Sequence, residues 1–307
     1  MTRRWELLRA LGAVADSPAA ARAVAGPLGL APLSDAEHTD VFVLNCPPYA
    51  SVYLGPDGAL GGEGADRAAG FWRAIAVSPP AEPDHLTALL ALYASLGEAA
   101  AQARRPATAR ALTRSRQVLF AEHLWPWLPA YLDAVAELAV PALTEWAELS
   151  RRAIAEEFSA QPAWPRLPLA LRAAPGDIGE GRRLVDALTT PVRSGIILTR
   201  RRLTAGAGEA GLGHRIGERR YTLRAMFGQD PHATLAWAAH EAMRWQRRHA
   251  SRAAGDTVAG WWAARAGRTR ILLRDAGAAT SPPAGPSDPR PTARTPAAHG
   301  ASSPPGR

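Results

Sequence analysis

The sequence predicts an all-α protein, and three observations lead to that class. Alanine and leucine dominate the apolar residues, whereas valine, isoleucine, tyrosine and phenylalanine are sparse. Alanine and leucine lose little free energy in a helix, and β-branched residues lose more. Apolar residues also recur at the helical period along much of the chain, and prolines stand where one such run ends and the next begins.

The first half divides into helices joined by proline- or glycine-rich links. The Pro47–Pro48 pair argues against a continuous strand and favours a proline-broken helical segment, PPYASVYLG. GPDGALGGEG is typical of a turn, and Ser34 before acidic residues is typical of a helix start. The predicted helices cover about 3–15, 17–25, 66–76, 84–103, 107–125 and 129–159, the last with a break at Pro141.

A proline-rich stretch near residue 160 predicts a domain boundary. Residues 1–160 are expected to form the first helical domain, 161–275 an arginine-rich helical extension, and 276–307 a tail of Pro, Ala, Ser and Gly. The tail is expected to be disordered because it cannot bury enough apolar surface to offset chain entropy. Helices in the extension are predicted over about 179–188, 199–210, 219–227, 231–250 and 257–275.

Charge is distributed unevenly along the chain. Lysine is absent, so all 36 basic residues are arginines, and the formal net charge is +8. Residues 31–100 hold nine acids and two arginines, whereas residues 161–275 hold twenty arginines and nine acids. An acidic segment followed by a basic one tells more about partners than the total charge does.

The N-terminal residues and the single cysteine help to predict the cellular location of the protein. Arg3 and Arg4 superficially resemble a twin-arginine export signal, but Glu6 and Arg9 interrupt the apolar run that such a signal needs. No apolar run approaches the roughly 20 residues of a membrane span. Cys46 stands alone, so no intrachain disulfide is expected. The predicted location is cytoplasmic, without membrane insertion.

No catalytic motif is present. The sequence has no GxSxG, no HExxH, no Walker loop and no dinucleotide-binding fingerprint. His85, His123, Asp84 and Glu122 could form a metal site only if the fold brought them together. We therefore expect a protein that is not an enzyme and needs no cofactor.

The stretch AEPDHLTALL, residues 81–90, predicts a helix start with an unusual residue in it. Pro83 suits the first helical position, where its missing N–H costs nothing. Glu82 and Asp84 beside the free N–H groups would be favourable. His85 has no such structural explanation, since a charged histidine is disfavoured at a helix N-terminus.

Two further stretches concentrate aromatic residues. Core packing and ligand contact both explain Tyr49 and Tyr53 in PPYASVYLG. In HLWPWLPAY, residues 123–131, aromatics beside prolines are typical of grooves for peptides, although they can equally cap a helix end.

The order of these motifs resembles the TorD/DmsD/NarJ group of chaperones for molybdenum-cofactor oxidoreductases. Its hallmarks are a Pro–Tyr–x–Ser–x–Tyr-like segment, an E-x-D-H loop and a downstream H-L-x-P-W. All three are present in that order, at residues 48–53, 82–85 and 123–127. The resemblance covers roughly residues 1–160, and the extension beyond it departs from typical members.

The resemblance implies an all-helical chaperone that binds the twin-arginine signal peptide of a molybdopterin oxidoreductase catalytic subunit. It would hold that subunit until the cofactor is inserted. A homodimer is compatible with the resemblance, since domain-swapped dimers occur in the group. The implied contact residues are Tyr49, Ser51, Tyr53, Trp72, Glu82, Pro83, Asp84, His85, His123 and Trp127.

The chemistry of arginine supports binding of a twin-arginine signal peptide independently of the resemblance. A twin-arginine leader consists of two guanidinium groups followed by an apolar helix, and arginine prefers planar, bidentate carboxylate partners. The acidic segment with Glu63, Asp66, Glu82 and Asp84 is the predicted receptor surface. The basic extension leaves an alternative open, a helical regulator or adaptor that binds nucleic acid.

Overall fold

The structure is a computed structural model and describes residues 2–162, 166–176, 178, 182–213, 217–280 and 306. All regular elements within these ranges are helical, which confirms the predicted class. None of these helices combines the length and apolar character that a membrane span requires.

The α-helices of the first half are α1 Thr2–Val14, α2 Pro18–Leu28, α3 Asp35–Thr39, α4 Ala50–Leu54, α5 Gly62–Ala74, α6 Leu86–Gln102, α7 Pro106–Leu119, α8 Leu128–Ala136 and α9 Pro141–Ser159. Those of the second half are α10 Leu169–Arg172, α11 Arg182–Leu188, α12 Pro191–Ser194, α13 Arg200–Glu209, α14 Arg219–Gln229, α15 Pro231–Ala250 and α16 Thr257–Thr280. Two π-helical segments, Asp40–Asn45 and Phe120–Leu124, follow α3 and α7 directly.

Prolines set several helix boundaries as predicted. The π-helical segment after α7 ends at Leu124, two residues before Pro126, and α9 begins at Pro141. The prediction for α6 was wrong at its start. This helix begins at Leu86, and the N-cap is His85, whose ring nitrogen Nδ1 accepts the Thr87 N–H at 3.3 Å. Pro83 is therefore not the first helical residue.

Helix α5 begins inside the predicted turn. It starts at Gly62, so the end of GPDGALGGEG is helical and the turn covers only its beginning. Ser34 behaves as predicted, since it caps α3 in a capping box with Glu37.

Helix α1 packs against α6 and α9 through one apolar face. Trp5, Leu8 and Leu11 are buried on that face, as its helical spacing requires. A Cβ added to Gly97 of α6 would lie 2.4 Å from the Trp5 ring. The absence of a side chain at Gly97 thus allows the two helices to approach closely.

The second half packs directly onto the first, and the buried apolar residues of both halves form one continuous cluster. Helices α15 and α16 form a long hairpin at this junction. Trp262 of α16 donates its Nε1–H to the Pro126 carbonyl at 2.8 Å. Arg252 pairs with Asp133 at 2.6 Å. The boundary near residue 160 remains a prediction.

The predicted tail differs from the structure at its beginning. Helix α16 continues to Thr280, so residues 276–280 are helical rather than disordered. Residues 281–305 and 307 of the predicted tail lie outside the described residues, as do residues 179–181 of the helix predicted over 179–188.

Candidate functional site

The PPYASVYLG and EPDHL motifs lie side by side. The Leu86 N–H donates to the Pro48 carbonyl at 2.8 Å, and the Ala50 N–H donates to the Asp84 carbonyl at 3.1 Å. Tyr49 and His85 consequently form an isolated antiparallel bridge. Two motifs that are distant in sequence thus meet through their backbones.

The Asp84 side chain stabilises a helix other than its own. Its Oδ2 accepts the backbone N–H of Ser51 at 2.9 Å, in the first turn of α4. A carboxylate beside free N–H groups at a helix N-terminus is favourable. Asp84 is only 2% exposed. Contrary to the prediction, it neither caps α6 nor offers a carboxylate on the surface.

The predicted aromatic residues join the same unit. Trp72 donates its Nε1–H to the Pro83 carbonyl at 3.1 Å. Trp127 stacks on Tyr53 with ring centroids 5.3 Å apart, and its Nε1–H donates to the His123 carbonyl at 2.8 Å. We call this unit the motif hub; it comprises Tyr49, Ser51, Tyr53, Trp72, Glu82, Pro83, Asp84, His85, His123 and Trp127.

Most of the motif hub is buried. Glu82 is exposed and Tyr49 is half-buried, with its ring 4.7 Å from that of His85 between centroids. Burial, followed by the hydrogen bond to Glu82, raises the pKa of Tyr49 to about 12. Burial lowers the pKa of His85. Most side chains of the motif hub therefore lie in the interior, and Glu82 is its exposed member.

The predicted acidic surface is present only in part. Glu63, Asp66 and Glu82 are exposed, but Asp84 is not. Glu63 also lies 3.7 Å from Arg67 of the same helix, which offsets part of its charge. Glu63, Asp66 and Glu82 do not line either of the two cavities described below.

One cavity, which we call the α5 cavity, opens beside the motif hub and has a volume of about 380 Å³. Phe71 and His123 both line it and contact each other, with ring centroids 5.2 Å apart. Burial, and secondarily the charge of Arg67, lowers the pKa of His123 to about 4, so its ring is neutral at pH 7. The other lining residues are Ala50, Leu54, Gly64, Arg67, Gly70, Ala74, Glu122, Leu169, Ala170 and Arg172.

A second cavity, the Trp125 cavity, has a volume of about 400 Å³. Trp125 forms its aromatic wall and stacks on Phe158 with centroids 4.1 Å apart and on Phe120 with centroids 5.7 Å apart. The Trp125 Nε1–H donates to Asp256 Oδ1 at 3.2 Å. This hydrogen bond fixes the indole against the start of α16.

Asp256 has two roles at this wall. Its Oδ1 also accepts the N–H groups of Val258 at 2.9 Å and Ala259 at 3.2 Å, so that it caps α16. Asp256 also lines the Trp125 cavity, as does Glu122. Among the described residues that line this cavity, Arg166 is the one cation.

Residues 166–172, which we call the covering segment, run along both cavities. Arg166 and Pro168 line the Trp125 cavity, whereas Leu169, Ala170 and Arg172 line the α5 cavity. Glu122 borders both, and its Oε2 accepts the Leu169 N–H at 2.7 Å. The two cavities are therefore neighbours, and together we call them the aromatic groove.

The sequence predicted this groove only in part. HLWPWLPAY predicted aromatic residues that line a groove, and Trp125 within it lines a cavity; that a peptide binds there remains a prediction. His123 was a predicted contact residue and lines the α5 cavity, whereas Trp72, His85 and Trp127 line neither cavity. Phe158 and Asp256 were missed because no local motif surrounds them; only the fold brings them to Trp125.

A larger cavity of about 610 Å³ lies between α13 and α15, among several arginines of the second half. Their guanidinium groups are already paired with carboxylates: Arg201 with Asp40 at 2.6 Å, and Arg202 with Glu241 at 2.5 Å. Such pairs leave little uncompensated charge for an anionic ligand. Within the described part of the chain, no group of three or more His, Cys, Asp or Glu is placed to hold a metal ion.

A comparison with protein-family models matches residues 21–133 to the family described as nitrate reductase delta subunit. That family consists of maturation chaperones for molybdenum enzymes and is not a catalytic family. The matched range contains the motif hub and Trp125, but neither Phe158 nor Asp256. No curated protein matches the chain.

Proposed function

We propose that this protein is a cytoplasmic maturation chaperone for a molybdopterin oxidoreductase. It binds the twin-arginine signal peptide of the apo catalytic subunit and holds the subunit until the cofactor is inserted. The family match over residues 21–133 supports the general chaperone role. The aromatic groove supports the finer proposal about the peptide.

The wall of the Trp125 cavity has the chemistry that a guanidinium group requires. Arginine binds carboxylates through paired hydrogen bonds and stacks on aromatic faces. Glu122 and Asp256 supply two carboxylates, and Trp125 and Phe158 supply the rings. This combination is the single observation that carries the proposal.

The α5 cavity suits the apolar part of a leader. Ala50, Leu54, Gly70, Phe71 and Ala74 give it a largely apolar wall. Removing apolar surface from water is the main driving force for such binding, at about 25 cal/mol per Å² before entropic costs. A peptide with arginines at the Trp125 cavity and leucines at the α5 cavity would satisfy both walls.

The proposed placement differs from the acidic segment that the sequence indicated. Two carboxylates from distant parts of the chain, Glu122 and Asp256, take the role assigned to Asp84. The motif hub keeps a supporting role, because His123 belongs to both the hub and the α5 cavity wall.

Several arginines of the second half are already paired with carboxylates, which makes these residues less available to a nucleic acid. Arg244 pairs with Glu137 at 2.5 Å, Arg252 with Asp133 at 2.6 Å, and Arg224 with Asp186 at 3.1 Å. Phosphate binding relies on positive charge that internal carboxylates do not already neutralise.

Isothermal titration with a synthetic leader peptide tests the proposal. The peptide carries two adjacent arginines followed by a leucine- and alanine-rich run. Asp256→Asn removes the charge but retains a good N-cap for α16, so the fold is preserved. We expect binding to the wild type and at least about tenfold weaker binding to this variant, which corresponds to about 1.4 kcal/mol.

Two controls make the titration specific. Asp66→Asn removes an exposed carboxylate outside the groove and should leave the affinity unchanged. A second peptide has its arginine pair replaced by glutamines, and wild type and Asp256→Asn should bind it with equal affinity. Absence of binding both to the wild-type protein and to the variant with residues 166–172 replaced, described below, would refute the proposed function.

A further inference from the structure

We infer that the covering segment, residues 166–172, is an internal competitor that occupies the site of an arginine-led apolar peptide. The inference rests on the proposed function and deepens it. It concerns how the aromatic groove is regulated and which peptides can enter it.

The covering segment has the same order of chemical groups as the proposed ligand. Its sequence is RLPLALR, in which Arg166 precedes a run of five apolar residues. A guanidinium group followed by leucines and an alanine is a short version of a leader peptide. The segment ends at Arg172, after a single turn of helix α10.

The placement of the covering segment follows that order along the groove. Arg166 lies at the Trp125 cavity, whose fixed wall carries the carboxylates of Glu122 and Asp256. Leu169 and Ala170 lie at the α5 cavity, whose wall is largely apolar. Arg166 is the single cation in the described lining of the Trp125 cavity, and it belongs to the covering segment rather than to the fixed wall.

Two hydrogen bonds hold the exposed side of the covering segment within the described part of the chain. The Leu169 N–H bonds to Glu122, and Arg172 Nε donates to the Leu167 carbonyl within the segment itself. Arg166 and Arg172 are exposed, and Leu169 is 48% exposed. Leu171 and Ala170 supply the buried anchor. The exposed side of the segment is therefore easier to displace than its anchor, which belongs to the apolar core.

Self-occupancy lowers the apparent affinity of the groove for any peptide. If the groove is open in about one molecule of ten, the apparent dissociation constant rises about tenfold. Only a peptide that contacts both cavities better than the covering segment would displace it. The covering segment would therefore reject weakly apolar or uncharged peptides.

A replacement variant tests the inference directly. Residues 166–172 are replaced by seven glycines and serines, and the synthetic leader peptide described above is titrated into wild type and variant. We expect at least tenfold tighter binding to the variant. A free peptide of sequence RLPLALR should also bind the variant and compete with the leader peptide.

Proteolysis of the unaltered protein provides a second measurement that does not depend on the variant's folding. Trypsin can cleave after Arg166 and Arg172, and mass spectrometry identifies each cut. Adding the leader peptide should accelerate cleavage at these two positions, while cleavage after the exposed Arg110 serves as the reference.

The outcomes separate the two proposals. Equal affinity of wild type and variant, or unchanged cleavage after Arg166 and Arg172 when peptide is bound, overturns the competitor inference and leaves the proposed function standing. If the peptide binds neither protein, both proposals fall.

Discussion

The Asp84 carboxylate accepts the backbone N–H of Ser51 at 2.9 Å, although 33 residues separate them. Both residues are almost fully buried. This hydrogen bond links the loop before α6 to the first turn of α4, and it explains an acid–histidine pair that looks like a ligand site. Asp84 serves α4, and His85 serves α6.

Asp84→Ala should therefore reduce stability. It leaves the Ser51 N–H without its partner, and an unsatisfied buried donor costs about 1–3 kcal/mol. The free energy of unfolding from urea titration followed by circular dichroism measures the loss. Asp66→Ala, on the exposed face of α5, should leave that free energy unchanged.

Peptide binding distinguishes the role of Asp84 from that of a contact residue. If Asp84 only supports the fold, Asp84→Ala at a temperature where it remains folded should bind the leader peptide nearly as well as wild type. A large loss of affinity in a fully folded variant would instead show that Asp84 contacts the peptide.

Helix class and most helix boundaries could be predicted because they are local properties. Apolar periodicity and the prolines at 126 and 141 act within a few residues, and the structure follows them. The start of α6 could not be predicted in this way. It depends on the pairing of Leu86 with Pro48, which is a tertiary contact.

The candidate site could likewise be predicted only where residues close in sequence determine it. Linear motifs identified the motif hub, whose members the fold does bring together. They identified the groove only in part, through HLWPWLPAY, because Trp125 meets Phe158 and Asp256 only after α9 and α16 have packed. Sequence motifs alone therefore indicate the motif hub but not Phe158 and Asp256, which line the Trp125 cavity.

A buried ion pair between α13 and α15 gives a prediction for the second half. Glu241 is fully buried and binds Arg202 at 2.5 Å and Arg244 at 2.8 Å. Glu241→Ala removes hydrogen bonds to two guanidinium groups, which keep Glu209 and Glu137 as partners, and hydrogen bonds to charged groups contribute about 1.5–3 kcal/mol. Thermal unfolding should show a clearly lower midpoint for this variant.

The same arginine provides a matched comparison. Glu209 binds Arg202 at 2.6 Å, but its side chain is 52% exposed. Glu209→Ala should cost less than about 1 kcal/mol, because water and salt screen an exposed pair. Similar losses for the two variants would show that burial does not set the strength of this network.

A buried histidine predicts that acid destabilises the protein. His249 lies between Trp245 and Trp262, with ring centroids 5.3 and 5.8 Å away, and its Nε2 lies 3.1 Å from the Gly195 carbonyl oxygen. Burial, and then the charges of neighbouring arginines, lowers its pKa to about 3. In the unfolded chain the pKa of histidine is about 6.5.

The sign of the pH effect follows from proton binding. Between about pH 6.5 and pH 3 the unfolded chain binds a proton at residue 249 that the folded protein does not bind. Stability conferred by neutral His249 is complete above pH 6.5 and falls as the pH decreases, by about 1.4 kcal/mol per pH unit. His123, whose pKa is lowered to about 4, contributes in the same direction over a narrower range.

Urea unfolding of wild type and His249→Gln at pH 7.5, 5.5 and 4.5 measures this dependence. Glutamine can still donate a hydrogen bond to the Gly195 carbonyl but binds no proton. The variant should start less stable, because it fills the space between two indoles less well, and lose less stability on acidification. His240→Gln, at an exposed position of the same helix, is the control for the substitution itself. Parallel pH profiles for wild type and His249→Gln would mean that His249 titrates alike in the folded and unfolded protein, and burial would then not hold it neutral.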